Sequence, residues 1–281
     1  MTSERRTAVV VVLMLLGAGG VGVAAGALMG RSDRTAQSSA QDVLGAGPSA
    51  SRTPVAAPAP GGRAVPVYAL GPTAAGPRLY REFRASAAAD PIEGAVAGLA
   101  VAPSDPDYRS PWLGLPARVS RSGTTATVTF DRAPALAGAS AQLAAQQVVY
   151  TVTAADPRIR AVRVVAPGLL AAAATARAAA AGVLAPVWLL DPVDGGTAGS
   201  RLTVSGTASV VEAAVGVEVR HGGEVLARAT ATASAGAPGR GEWTATLSVP
   251  PGSYVVAAFE RSAKDGAEVA VDTKRVTVSG R

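Results

Sequence analysis

Val215–His221 (VGVEVRH), the dipeptide Gly222-Gly223 and Glu224–Ala233 (EVLARATATA) set how the C-terminal third of the chain folds. Val215, Val217 and Val219 alternate with Gly216, Glu218 and Arg220, the period of two that turns one face of a strand to a core and the other to water. Two glycines between two such runs read as a hairpin turn. Working outward, Val187–Leu190, Arg201–Gly206, Gly241–Val249, Gly252–Ser262 and Glu268–Ser279 are further strand candidates. Asp194-Gly195-Gly196, Pro250-Pro251-Gly252 and Asp265-Gly266 supply the turns between them. About seven short strands in roughly 100 residues predict an antiparallel sandwich over residues 186–281.

Residues 63–168 carry a different pattern. Arg63–Leu70 and Pro77–Ser86 read as strands, with Leu79 and Phe83 on one face and Arg78, Tyr80, Glu82 and Arg84 on the other. Asp90-Pro91 opens a helix as N-cap and first helical residue, and Ile92, Ala95, Val96 and Leu99 give it an apolar face. A Pro-rich loop holding Pro103, Pro106 and Pro111 follows. Ala117–Ser122 and Thr124–Asp131 flank Gly123 as a hairpin, Ser140–Ala154 reads as a second helix with Ala141, Ala145, Val148 and Val152 on one side, and Arg160–Ala166 as a last strand. The order ββαββαβ predicts an α+β unit with helices covering a sheet.

Between the two units, residues 169–185 (LLAAAATARAAAAGVLA) are nearly all helix formers and predict a light helical connector. Residues 31–62 are an Ala/Pro/Ser-rich linker that could reach up to ~100 Å when extended. Residues 8–29 hold no charge and are long enough, at about 1.5 Å per residue, to span a bilayer as a helix. Arg5 and Arg6 before that run favour a cytoplasmic N-terminus and an exported remainder. The expectation is therefore an anchor within residues 1–30 and an extracytoplasmic region from residue 31 onward. A cleaved signal is the alternative, with Ala25-Gly26-Ala27 as its small-x-small site, leaving a secreted chain. Gly22, Gly26 and Gly30 form a tandem GxxxG, a spacing that lets membrane helices approach closely.

Two stretches resemble known families. Val67-Tyr68, Leu79-Tyr80-Arg81-Glu82, Ile92–Leu99, Leu115–Val119 and Ala126–Asp131 are similar to the sporulation and spore germination (GerMN) domain, and the best match is Gln147–Thr153 followed by Val162-Arg163-Val164. Val187–Pro192, Val204–Ala213, Trp243–Leu247, Val249–Tyr254, Ser262–Gly266 and Asp272-Thr273-Lys274 resemble the immunoglobulin-like domain of bacterial spore germination. The pairing resembles that of an actinobacterial type of exported protein. The resemblance implies an α+β GerMN-like domain followed by an all-β immunoglobulin-like sandwich, behind an N-terminal transmembrane helix. It also implies a non-catalytic role at the cell envelope in which the protein binds envelope proteins or itself. Peptidoglycan is the alternative partner, and a wall hydrolase is a third, weaker reading.

Composition narrows the chemistry. The chain has no cysteine and one histidine, so disulfides, thiolate catalysis, zinc–thiolate sites and multi-histidine metal sites are excluded. The formal charge of +6 is uneven, net +4 over residues 63–168 and −1 over residues 186–281, but a nucleic-acid binder would concentrate more charge and interleave aromatics, which make up only 4% here. His221 reads as a turn residue, Asp105 and Asp107 as loop caps more readily than a glycosidase pair, and Asp191 and Asp194 as turn caps instead of calcium ligands. Trp188 and Trp243 are expected anchors of the sandwich core. No catalytic, cofactor or metal residues emerge, and no cofactor is implied. The candidate interaction surface is Trp112, taken as exposed after Pro111, together with Arg78 and Arg84 on the outer face of a strand.

Overall fold

The computed structural model describes residues 62–136, 138–168 and 173–280. The expected anchor at residues 8–29 and the linker up to residue 61 lie outside the described residues. Among the described residues no helix is long and apolar enough to cross a membrane.

The first unit follows the expected order: β1 (Arg63–Gly71), β2 (Arg78–Ser86), α1 (Pro91–Leu99), β3 (Ala117–Ser122), β4 (Thr125–Phe130), α2 (Gly138–Ala155) and β5 (Ala161–Val165). β1 and β2 pair as an antiparallel ribbon, while β3, β4 and β5 form a second sheet in which β5 runs parallel to β4. A parallel pair needs a crossover, and α2 supplies it. The Asp90 carboxylate caps α1 by accepting the Ile92 N–H at 2.8 Å, and Ile92, Ala95, Val96 and Leu99 are all buried, as their spacing predicts. Gly123 takes φ +56 in the β3–β4 turn, a conformation that costs glycine nothing.

The ribbon departs from the expected alternation. Leu79 and Tyr80 are both buried and Phe83 is exposed. The reason is that both faces of the ribbon are covered. Val65 and Val67 pack with α1 and α2, whereas Tyr68, Leu70 and Leu79 pack with Leu184 and Trp188 from further along the chain. The helices also bind the ribbon by its backbone, for Gln147 Nε2 donates to the Tyr68 carbonyl at 2.7 Å and the Tyr68 N–H donates to Thr151 Oγ1 at 3.1 Å.

Over its described residues, 173–185, the Ala-rich connector is not the helix that its composition predicts. Among its described residues only the single turn α3 (Ala180–Val183) is helical. The remainder is a strap: Thr175 bridges Val162 of β5, Leu184 bridges Leu79 of β2, and the Tyr150 hydroxyl donates to the Ala178 carbonyl at 2.7 Å. Helix propensity is a weak local bias, and backbone hydrogen bonds to two open strand edges override it.

The second unit is a sandwich of β6 (Val187–Asp191), β7 (Gly196–Gly199), β8 (Arg201–Ala208), β9 (Ala214–His221), β10 (Glu224–Thr232), β11 (Gly241–Ser248), β12 (Gly252–Arg261) and β13 (Glu268–Ser279). Its sheets are ordered β10-β9-β12-β13-β7 and β11-β8-β6. The predicted seven strands are present, and β7 is an eighth, formed where the sequence predicts only a turn and paired in parallel with β13. Val215, Val217 and Val219 enter the core as their alternation predicts. The opposite face of β9 is less wet than expected, because Glu218 is buried and holds Arg220 at 2.8 Å and Arg261 at 3.1 Å.

Gly206 in β8 lies against β6, where an added Cβ would run into the Trp188 carbonyl and the Trp243 ring. We expect Gly206→Ala to lower unfolding stability by about 1–3 kcal/mol, as a denaturant titration monitored by circular dichroism would show.

Candidate functional site

The structure redistributes the residues singled out from sequence. Trp112, expected to be exposed, is completely buried: its ring stacks on Phe130 at 3.9 Å and its Nε1–H donates to the Ala144 carbonyl at 3.0 Å. A wholly enclosed side chain offers no contact surface, so that expectation is corrected; the loop after Pro111 folds back onto α2 and carries the indole with it. Arg84 is also committed internally. Its guanidinium donates to the carbonyls of Gly98, Val101 and Ala102 at 2.8–3.1 Å and pairs with Glu82 at 2.9 Å, closing the C-terminal end of α1. Arg78 keeps only a bond to the Pro77 carbonyl among the described residues, at 3.1 Å.

His221 sits at the β9–β10 turn, with Nδ1 3.0 Å from the Ser253 carbonyl and its ring against Tyr254. With Arg220 and Arg275 it lines an open hollow of 540 Å³. Both arginines there are already paired, Arg220 with Glu218 and Glu268, and Arg275 with Asp194 at 2.6 Å. Among the described residues the imidazole bonds the Ser253 carbonyl and no hydroxyl side chain. Trp243 lies in the sandwich core as expected, but Trp188 does not. Val187 and Leu189 of β6 point into the sandwich, and the alternation turns Trp188 outward onto Tyr68 and Leu79 of the first unit.

Trp188 marks a seam between the two units, and the seam holds the most concentrated chemistry among the described residues. Glu82 first builds a loop, accepting the N–H groups of Ser104 at 3.1 Å and Asp105 at 2.9 Å. The Asp105 carboxylate accepts the Asp107 N–H at 2.8 Å, and the tight turn presents Asp105, Asp107 and Tyr108 to β13. There the Lys274 ammonium pairs with Asp105, donates to the Tyr108 hydroxyl at 2.8 Å and lies 3.9 Å from Asp272. The Tyr108 hydroxyl donates to Asp272 at 2.7 Å, and the Leu189 N–H donates to the other Asp272 oxygen at 2.7 Å. The Thr273 hydroxyl reaches Asp107 at 3.4 Å. Asp105, Lys274 and Asp272 are each at most 5% exposed.

Two carboxylates around one ammonium leave an excess negative charge in a dry place. Burial pushes the Asp272 carboxyl up to about 6, against the opposing pull of Lys274 and of its hydrogen bonds. Burial raises Asp105 too, again against Lys274. The Tyr108 and Tyr80 hydroxyls are driven far up by burial and by the neighbouring carboxylates, so both stay protonated donors. This is the chemistry of a clamp between domains. Asp105, one half of the glycosidase pair that the sequence allows, is consumed in it. The sequence carries little signal for the clamp beyond composition: the chain uses 24 arginines and only two lysines, of which Lys274 is one.

Comparison with known proteins follows the same division. Residues 66–168 match the family model for sporulation and spore germination, and residues 186–267 match the model for the immunoglobulin-like domain of bacterial spore germination. Among solved structures, the tandem GerMN domains of the sporulation protein GerM from Bacillus subtilis are similar at 14% identity and TM-score 0.34, over 47% of this chain and 49% of that one. The chain thus spans about half the length of that structure. CopC from Methylosinus trichosporium OB3b is similar at 22% identity and TM-score 0.25, over 34% of this chain and 95% of its own. The comparison with curated proteins gave no match.

The clamp yields two expected outcomes. Lys274→Met strands two buried carboxylates and should cost about 3–5 kcal/mol in chemical unfolding. Asp272 has a higher value folded, about 6, than its ordinary 3.8, so folding favours its protonated form. Its contribution is present in full below about pH 4 and is lost as the pH rises through about 6. The thermal midpoint of the unmodified chain, relative to Asp272→Asn, should therefore fall between mildly acidic and neutral pH.

Proposed function

Because the chain carries a sporulation and spore germination domain followed by an immunoglobulin-like domain of bacterial spore germination, we propose that it is a non-catalytic envelope protein, held outside the cytoplasm by residues 8–29, that works by binding envelope proteins or a second copy of itself. The observation that carries this reading is the clamp. The acidic residues that glycan hydrolysis would need in a cleft are spent on holding two domains together, with Asp105 on Lys274 and Asp107 beside Thr273. A protein that invests its buried charge in fixing the relation of two domains gains a rigid composite surface, which serves recognition. The uncharged run at residues 8–29, the basic residues before it and the Pro-rich linker after it support a tethered, exported arrangement.

Two experiments test this proposal. With a tag at the C-terminus, external protease should digest the tag in intact cells stripped of their wall. Protection until the cells are burst would contradict the topology. In sedimentation with purified cell wall, the full chain should show no saturable retention; saturable retention on glycan would replace the protein-binding reading with peptidoglycan recognition.

A further inference from the structure

Around Trp188 the seam is lined by hydrogen-bond donors that lack acceptors. The Arg240 guanidinium lies 4.1 Å from the centre of the Trp188 ring and that of Arg81 lies 5.5 Å away. Tyr68 meets the same ring at 5.9 Å, Tyr150 packs on Tyr68 at 5.4 Å, and the Arg177 guanidinium covers Tyr150 at 4.8 Å. Among the described residues, Arg81 Nε, Arg240 Nε and Trp188 Nε1 are buried without a partner, and Trp188 itself is only 2% exposed. Arg240 gives its other nitrogens to the Ala185 carbonyl at 2.6 Å and to Thr207, and Arg177 donates to the Thr153 hydroxyl at 2.6 Å.

No carboxylate pairs with these three arginines among the described residues, whereas Arg84, Arg118, Arg121, Arg158, Arg220, Arg261 and Arg275 each hold at least one. Burial pushes Arg240 down to about 10, with Tyr68 opposing and Arg81 adding to the depression. The Arg81 and Arg240 guanidiniums thus share the Trp188 ring and repel one another, Arg240 is partly stripped of water, and neither has a carboxylate partner among the described residues.

We propose that the seam formed by Arg81, Trp188 and Arg240 binds an oxyanion, the carboxylate or phosphate group of a ligand. Guanidinium planes match both groups in two-point hydrogen bonding, and in a part-dry setting each such bond is stronger than at an open surface. Unsatisfied buried donors are uncommon in folded proteins, and an anion supplies the acceptors that these three lack. Arg81 comes from β2 of the first domain, whereas Trp188 and Arg240 come from the sandwich, so the site exists only while the domains are docked. The proposal gives a ligand chemistry to the binding role above but does not depend on where the protein sits in the cell.

The test is isothermal titration calorimetry on the full chain in uncharged detergent, with inorganic phosphate and succinate as separate probes and ionic strength held constant with sodium chloride. Saturable binding of either, with half-saturation near or below ~1 mM, is expected. Binding of phosphate alone assigns the site to phosphate esters, of succinate alone to carboxylates, and of both to oxyanions in general. Arg81→Gln should weaken binding at least about tenfold, because it removes a guanidinium that makes no hydrogen bond among the described residues. Arg228→Gln, on exposed strand β10, should leave binding unchanged. Absence of saturable heat with both probes, or undiminished binding by Arg81→Gln, would overturn the proposal. Titration of the unmodified chain is decisive even if a variant misfolds.

Discussion

A lysine ammonium enclosed between two carboxylates, with a tyrosine hydroxyl bridging the set, is the constraint on which the rest of this structure depends. Such a charge cannot be buried in part. Lys274 belongs to the sandwich and Asp105 to the α+β domain, so its pairing is complete only when the two domains meet in one orientation. Hydrophobic contact alone would tolerate sliding, since apolar surfaces attract without direction. The contacts of Trp188 with Tyr68 at 5.9 Å and with Leu79 supply the apolar burial across the seam, while Tyr80 stacks on Tyr108 at 4.6 Å within the first domain and backs it. The ionic cluster supplies the register, which is the best-attested use of buried charge.

The strap at residues 173–185 belongs to the same device. It runs from an open edge of β5 to an open edge of β2 and delivers Leu184 and Ala185 to the seam. From there the chain enters β6 directly, so the first strand of the sandwich is already seated against the ribbon. Arg240 then ties the sandwich back to the strap through the Ala185 carbonyl at 2.6 Å. The result is a pair of domains in which the short connection, the apolar seam and the buried charges restrict the same motion. The oxyanion recognition proposed for this seam would carry little ordering cost, because the groups from both sides are already in place.

Much of this is legible in the sequence where the causes are local. The Asp90 cap, the valine alternation of β9, the Gly123 turn and the order of elements in both domains all follow from residues within a few positions of one another. What escapes is set by partners far along the chain. Trp112 reads as a loop residue because nothing near it in sequence announces Phe130 or the Ala144 carbonyl. Arg84 reads as a free surface charge because its acceptors are the carbonyls that end α1. The alanine-rich connector reads as helix until the open edges of β2 and β5 are known. Lys274 and Asp105 are 169 positions apart, so their meeting is not readable from spacing, and the other lysine, Lys264, is an ordinary exposed turn residue.

The claim that the domains are fixed by a buried ammonium is tested most directly by nuclear magnetic resonance of the two lysine side chains, labelled with nitrogen-15. The account predicts that at neutral pH the exposed Lys264 ammonium protons exchange away, while those of Lys274 remain visible and show cross-relaxation to the Tyr108 ring of the other domain. Two equally fast-exchanging ammonium groups, with no transfer from Lys274 to Tyr108, would contradict it.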